Sequence, residues 1–254
     1  MRIVIKETKR EGFVQITTLD ERFYRRKEDG RDFVSNTWIC GYVPMDDFLI
    51  GWIASKGMER AKEERNTRGR KGSRIHAAIE EMLLNGEIKM NDVFPDGDGE
   101  SRELEPDEYY AVMTFRDWWK EYNSPVTHVL GIEMDYYNEA LGYACTADLV
   151  CQNGEFLDII DYKTGQSIHL EHKLQLEGIA KCDEIQKIAT ERKLTIRKNN
   201  LQVGYTKNKK GYKFTEHEED LWHLWQAAHA FWMEENANKS PRQVEYPTTI
   251  TIKE

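Results

Sequence analysis

Two apolar segments separated by an Asn-Gly pair constrain this chain more than any other feature. Tyr143 to Cys151 and Glu155 to Tyr162 are rich in β-branched and aromatic residues, with Asn153-Gly154 between them. Asn-Gly readily adopts the positive φ angles of a tight reversal, so the two segments are expected to pair as a hairpin. Val126 to Tyr137 has the same character and extends the pair to a three-strand meander. Helices must cover strands this apolar, and the sequence supplies them. Phe48, Leu49, Trp52 and Ile53 predict a helix from Asp46 to about Asn66. Ile75, Ala78, Ile79, Met82 and Leu83 predict another from Ser73 to Asn85, stopped by Gly86. Pro106 suits the first turn of a helix reaching about Tyr122. A further helix is expected from about Ser167 to Thr190, and Leu221, Leu224, Trp225, Ala228 and Trp232 mark a last one. Leu201 to Thr206 and Tyr212 to Thr215 read as two more strands, joined through Asn208 to Gly211. The expected class is α/β, with a mixed central β-sheet flanked by helices.

The 254 residues are expected to form a single domain. A β-rich entry (1–44) carries Val14 to Thr17 and Phe33 to Ser35 around the turn Glu28-Asp29-Gly30, and Pro44 ends it. The core spans 45–235, with a polar surface loop at 87–105, and a tail follows at 236–254. No apolar run approaches the ~20 residues of a bilayer span, so no membrane partner and a cytoplasmic location are expected. Cys40, Cys145, Cys151 and Cys182 are scattered without a Cys-x-x-Cys pair, which reads as reduced core thiols.

A formal charge of −9 speaks against a protein that coats nucleic acid, yet the charge is segregated. Arg65 to Arg74 and Arg192 to Lys213 are basic and free of acids, while acids gather in Asp92 to Glu108 and Glu216 to Asp220. That pattern fits a polyanion channel and equally fits solvated helix faces and loops.

Five acid-x-Lys tripeptides occur, and only Asp161-Tyr162-Lys163 ends an apolar strand and is closed by Thr164-Gly165. Strand alternation puts Asp161 and Lys163 on one face and Asp158 on the other. Asp148, in the middle of the preceding apolar strand, supplies a second carboxylate, and such an acid is costly unless paired, protonated or metal-bound. The same alternation turns Cys145 and Cys151 away from it together. Two carboxylates and a lysine on one sheet face suit a divalent cation that neutralises a phosphodiester and activates water, with the lysine positioning that water or stabilising charge on the phosphate. A buried Asp–Lys network without metal fits these three residues as well.

Gly72-Ser73-Arg74-Ile75-His76, Thr146-Ala147-Asp148-Leu149-Val150, Asp161-Tyr162-Lys163-Thr164-Gly165 and Gln175-Leu176-Glu177-Gly178-Ile179 stand in that order. The series resembles the PD-(D/E)XK nuclease superfamily, closest to its RecB-like branch of phage exonucleases and CRISPR-adaptation nucleases, over residues 45–235. The resemblance implies a restriction-endonuclease-like core and Mg²⁺ or Mn²⁺ as cofactor. It makes His76, Asp148, Asp161 and the Tyr162 carbonyl metal ligands and Lys163 the catalytic lysine. Gln175 would steady that lysine, and Glu133 falls where the family often carries an acid. Asp135 shares the expected strand face of Glu133, so either acid could be the nearer one. The family's usual Tyr after the glutamine is replaced by Gly178-Ile179-Ala180. No Cys follows Cys182, so no iron–sulfur cluster is expected.

The implied activity is hydrolysis of DNA phosphodiester bonds in recombination, repair or phage DNA processing. Exonuclease action comes ahead of sequence-specific cutting because no separate recognition domain is evident. Structure-specific or single-strand endonuclease action and an inert DNA-binding relative are the alternatives, although Asp161 and Lys163 are both kept. Arg68, Arg70, Lys71, Arg74, Lys207, Lys209 and Lys210 are the candidate DNA contacts. A homo-oligomer or a recombination-protein partner is compatible with the resemblance.

Overall fold

The computed structural model describes residues 4–17, 21–45, 47–97 and 99–241; the first three residues and the expected tail beyond 241 lie outside them. The chain opens with four antiparallel strands, β1 (Val4–Glu7), β2 (Phe13–Thr17), β3 (Arg22–Arg26) and β4 (Asp32–Ser35). Gly30, at φ +71°, lies in the turn joining the last two, as expected. These strands continue the main sheet rather than preceding it, because Val34 pairs in parallel with Tyr143.

Helices α1 (Asn36–Cys40), α2 (Asp47–Lys56) and α3 (Met58–Asn85) follow. The expected break between Asn66 and Ser73 is not there. It falls at Gly57, whose φ of +83° only glycine adopts readily, and α3 then runs unbroken through Gly69 and Gly72. Each glycine costs a helix about 1 kcal/mol against alanine, but a nucleated helix gains a hydrogen bond with every residue added. Within the expected surface loop lies a small ribbon, β5 (Val93–Pro95) with β6 (Ser101–Glu103). Helix α4 (Pro106–Tyr122) starts where Pro106 predicts, and the Glu108 carboxylate accepts the Glu105 N–H at 2.7 Å.

The meander forms as β7 (Thr127–Asn138), β8 (Tyr143–Asn153) and β9 (Phe156–Lys163), with Gly154 at φ +61° in the reversal. The single helix expected over Ser167 to Thr190 is two, α5 (Leu170–Ala180) and α6 (Asp183–Arg192). The β7–β8 turn causes the break: Asn138 Nδ2 donates to the Lys181 carbonyl at 2.7 Å, and the Glu139 N–H donates to the Asp183 carboxylate at 3.0 Å. Strand β10 (Thr195–Val203) starts before the expected Leu201, β11 (Tyr212–His217) returns antiparallel to it, and α7 (Trp222–Asn236) closes the fold.

Among the described residues the result is an α/β architecture built on a nine-stranded mixed sheet in the order β1-β2-β3-β4-β8-β9-β10-β11, with β7 on the other edge of β8. On one face Leu157, Ile159 and Val150 pack against Leu174, Ile179, Ile185 and Trp225. On the other, Leu149, Ile160, Tyr162 and Leu201 pack against Ile75, Ile79, Phe115 and Trp118. Among the described residues no helix is long and apolar enough to cross a membrane.

Two irregularities place the site. The β8–β9 ladder ends at Leu149–Ile160, and β4 meets the same edge of β8 only at Tyr143 and Ala144. Cys145 to Asp148 therefore border a fork in the sheet. The second is a slip in alternation, since Cys145 and Ala147 join one core while Leu149 and Cys151 join the other. The two thiols are buried as expected but on opposite faces. The slip lies beside Glu133 of β7, a non-glycine residue at φ +48°.

Gly178 also has a packing reason. A Cβ there would overlap the amide of Asn36, which is buried between the Gln175 carbonyl and the Trp225 indole N–H at 2.9 and 2.8 Å. Only glycine lets α5 approach α1 this closely.

Candidate metal centre

Three side chains converge on the fork from different elements. Ile75 and Ile79 bury α3 against the sheet, which leaves His76 at the boundary, its ring edge-on to Tyr162 with centroids 5.5 Å apart. His76 Nδ1 lies 3.2 Å from Glu133 Oε1 and 3.5 Å from Asp148 Oδ1. One ligand atom from each of His76, Glu133 and Asp148 falls within 4.8 Å of the others, and two of the three donors are hard carboxylate oxygens. Glu133, at a left-handed φ of +48°, is the β7 acid that joins this group. Asp135 instead accepts from Thr146 Oγ1 at 2.6 Å, away from this group.

Asp148 joins this trio to the motif on β9, since its Oδ2 accepts the Tyr162 N–H at 2.6 Å. The N–H and C=O of a strand residue lie on the same edge, so the Tyr162 carbonyl opens on the fork as well. Lys163 Nζ bonds both Asp161 oxygens, at 2.8 and 2.7 Å, and donates to Gln175 Oε1 at 3.2 Å. Asp161 and Lys163 thus share a face, as strand parity predicts. Asp158, on the other face, is fully buried and paired with Arg197 at 2.6 Å. Asp161 differs from expectation in one respect: its oxygens are occupied by Lys163 and Asn200, so it stands beside the His76–Glu133–Asp148 group and not within it.

The electrostatics follow from two carboxylates forced together under partial burial. Burial opposes a charged imidazole, but Asp148 and Glu133 outweigh it and hold the His76 pKa well above the ordinary value. Burial also works against an ionised Asp148, and His76, Lys163 and the Tyr162 N–H bring its pKa below the usual range. Glu133 is raised by burial and by Asp148. Burial pushes Asp161 up to about 6, with Asp148 adding repulsion and Lys163 opposing. Lys163 stays charged, because Asp161 and Asp148 overcome the effect of its own burial.

The basic candidates separate. Arg74 is corrected: it is 1% exposed, held by Glu108 through Nε at 3.0 Å and by Asp96 at 3.5 Å, and faces no solvent that DNA could occupy. Lys71 is committed to Glu105 and Asp107, both at 2.7 Å, and Lys210 to Glu121 at 2.8 Å. Arg68 is exposed and Arg70 half-buried on α3, and Lys207 and Lys209 are exposed on the β10–β11 loop.

Sequence reasoning missed three residues, Lys9, Asn200 and His217, and read Glu80 as a solvated helix acid. Lys9 donates to the Ile132 carbonyl at 2.8 Å beside Glu133 and pairs with Glu80, one helical turn past His76. Asn200 on β10 donates to Asp161, and His217 on β11 bonds Asn200. Consecutive asparagines in a strand, Asn199-Asn200, were the available signal, because buried amides demand partners. No protein-family model and no curated protein matches the chain.

Proposed function

We propose that the chain is a divalent-metal-dependent deoxyribonuclease of the PD-(D/E)XK superfamily, RecB-like branch, acting on DNA as an exonuclease. The observation that carries this is the meeting of five motif residues at one fork. Asp148 touches both the His76–Glu133 pair and the backbone of the Asp161-Tyr162-Lys163 strand, and Gln175 steadies the lysine. The resemblance gives the chemical class and a restriction-endonuclease-like core.

The donor set suits Mg²⁺ or Mn²⁺. His76, Glu133 and Asp148 would hold the ion, with the Tyr162 carbonyl and Asp161 beside them. Bound there, the cation supplies charge neutralisation at the phosphodiester and activation of water. Lys163, kept charged by its neighbours, donates hydrogen bonds to the phosphate oxygens and does not take a proton. Gln175 Oε1 limits where that ammonium can point. Arg68, Lys207 and Lys209 on the surface, with half-buried Arg70 beside Arg68, would track the backbone.

End-labelled single- and double-stranded DNA incubated with Mg²⁺, Mn²⁺ or chelator tests the proposal. Cleavage is expected only with metal and to shorten the labelled strand stepwise, with Mn²⁺ at least as effective as Mg²⁺ because an imidazole ligand is softer than Mg²⁺ prefers. Undiminished cleavage in chelator would sink it. The closed Asp161–Lys163 pair favours a second reading, a structural ion-pair network, which predicts no effect of Mn²⁺ on the melting temperature.

A pH dependence follows. His76 and Asp161 bind protons more tightly in the folded protein, so the stability they contribute is present below their unfolded values of roughly 6.5 and 3.9. It is lost as pH rises through the folded values, about 6 for Asp161 and higher for His76. A cation replaces those protons, so Mn²⁺ should raise the melting temperature more near pH 8 than near pH 6, and its binding should release protons. Equal shifts at both would remove His76 from the ligand set.

A further inference from the structure

Asp161 is gripped from the side away from His76 by a residue outside every motif. Asn200 on β10 lies directly across the parallel ladder from Asp161 and is fully buried. Its Nδ2 donates to Asp161 Oδ2 at 2.7 Å, and its Oδ1 lies 2.8 Å from Nε2 of His217, itself only 7% exposed. The direction of this chain is forced. An ionised carboxylate only accepts, so the amide nitrogen must face Asp161 and the amide oxygen must face His217. That oxygen also only accepts, so His217 Nε2 must carry a hydrogen.

We propose that Asn200 and His217 are positioning residues for Asp161: the His217 N–H fixes the Asn200 amide, which holds Oδ2, so that Oδ1, bonded only to the movable Lys163 ammonium, is the oxygen Asp161 would turn to a cation. The inference rests on the reading of Asp161 as a metal ligand. It gives the site an outer layer drawn from β10 and β11, strands that carry no motif residue. Outer partners of this kind typically change metal affinity by about tenfold to a hundredfold when removed.

The test uses the intact protein with Mn²⁺ as the probe. Imidazole ¹⁵N spectra of the wild type should show a protonated Nε2 at His217. Calorimetry should show Mn²⁺ bound about ten- to a hundredfold more weakly by His217→Leu and by Asn200→Leu. His217→Gln, which places an amide N–H where Nε2–H stood, should recover close to wild-type affinity, a rescue that simple packing at position 217 would not produce. If Asn200→Leu does not fold, the two His217 variants carry the comparison. A bare Nε2 in the wild type, or His217→Leu binding Mn²⁺ as tightly as the wild type, overturns the inference and leaves the nuclease reading standing. Absence of Mn²⁺ binding by the wild type overturns that reading, and the inference with it.

Discussion

Lys163→Ala is expected to lower metal-dependent cleavage by about 10²- to 10⁴-fold, the range over which one positioned proton-transfer or charge-stabilising group acts. The loss should appear in kcat and leave Mn²⁺ bound, because the His76, Glu133 and Asp148 ligand atoms do not depend on the lysine for their spacing. Asp148→Ala is expected to behave differently. It removes an oxygen from that trio and the acceptor of the Tyr162 N–H together, so cleavage and metal binding should disappear in parallel. Single-turnover cleavage beside calorimetric Mn²⁺ binding separates the two outcomes. Lys163→Ala cutting at the wild-type rate would remove the lysine from the chemistry, and Asp148→Ala retaining full Mn²⁺ affinity would relocate the metal.

The second large effect is on stability. Arg74→Ala should destabilise the fold by about 3–5 kcal/mol, because it leaves a buried Glu108 without its cation. For a chain of this size that corresponds to a fall in melting temperature on the order of 10 °C. Arg74→Lys should recover only part of it, since a single ammonium cannot reproduce the Nε and Nη contacts that the guanidinium makes to one Glu108 oxygen. By contrast Arg68→Ala, on an exposed stretch of the same helix, should leave stability nearly unchanged. An unaltered melting temperature for Arg74→Ala would mean that the buried pair is not formed in solution.

Arg74 also shows where the sequence was legible and where it was not. Local signals read well: the Asn-Gly reversal, the Pro106 start of α4 and the parity of Asp161 against Asp158 all depend on residues a few positions apart. Long-range pairing did not read. Nothing near Arg74 in sequence reveals that Glu108 waits for it across the helix pair, so an arginine among other basic residues looked like a DNA contact. The α5–α6 break is set by Asn138 and Glu139 from a distant turn, and the slip at Asp148 lies beside an unusual backbone angle at Glu133 on the neighbouring strand. The candidate site was therefore visible as a set of residues but not as a geometry. The choice of Glu133 over Asp135, the closeness of the lysine to its carboxylate and the asparagine clamp all needed the folded sheet.

The parallel pairing of β9 with β10 carries a consequence for synthesis. Chains emerge from the N-terminus and long-range strand pairing comes late. A nascent chain that has delivered β9 already holds His76, Glu133, Asp148, Asp161 and Lys163, yet nothing lies beside Asp161 until β10 arrives with Asn200. On the proposed reading, a truncated or stalled product would be a blunt blade: the acids and the lysine present, Asp161 not yet held, and the cation gripped weakly until the last strands are in place.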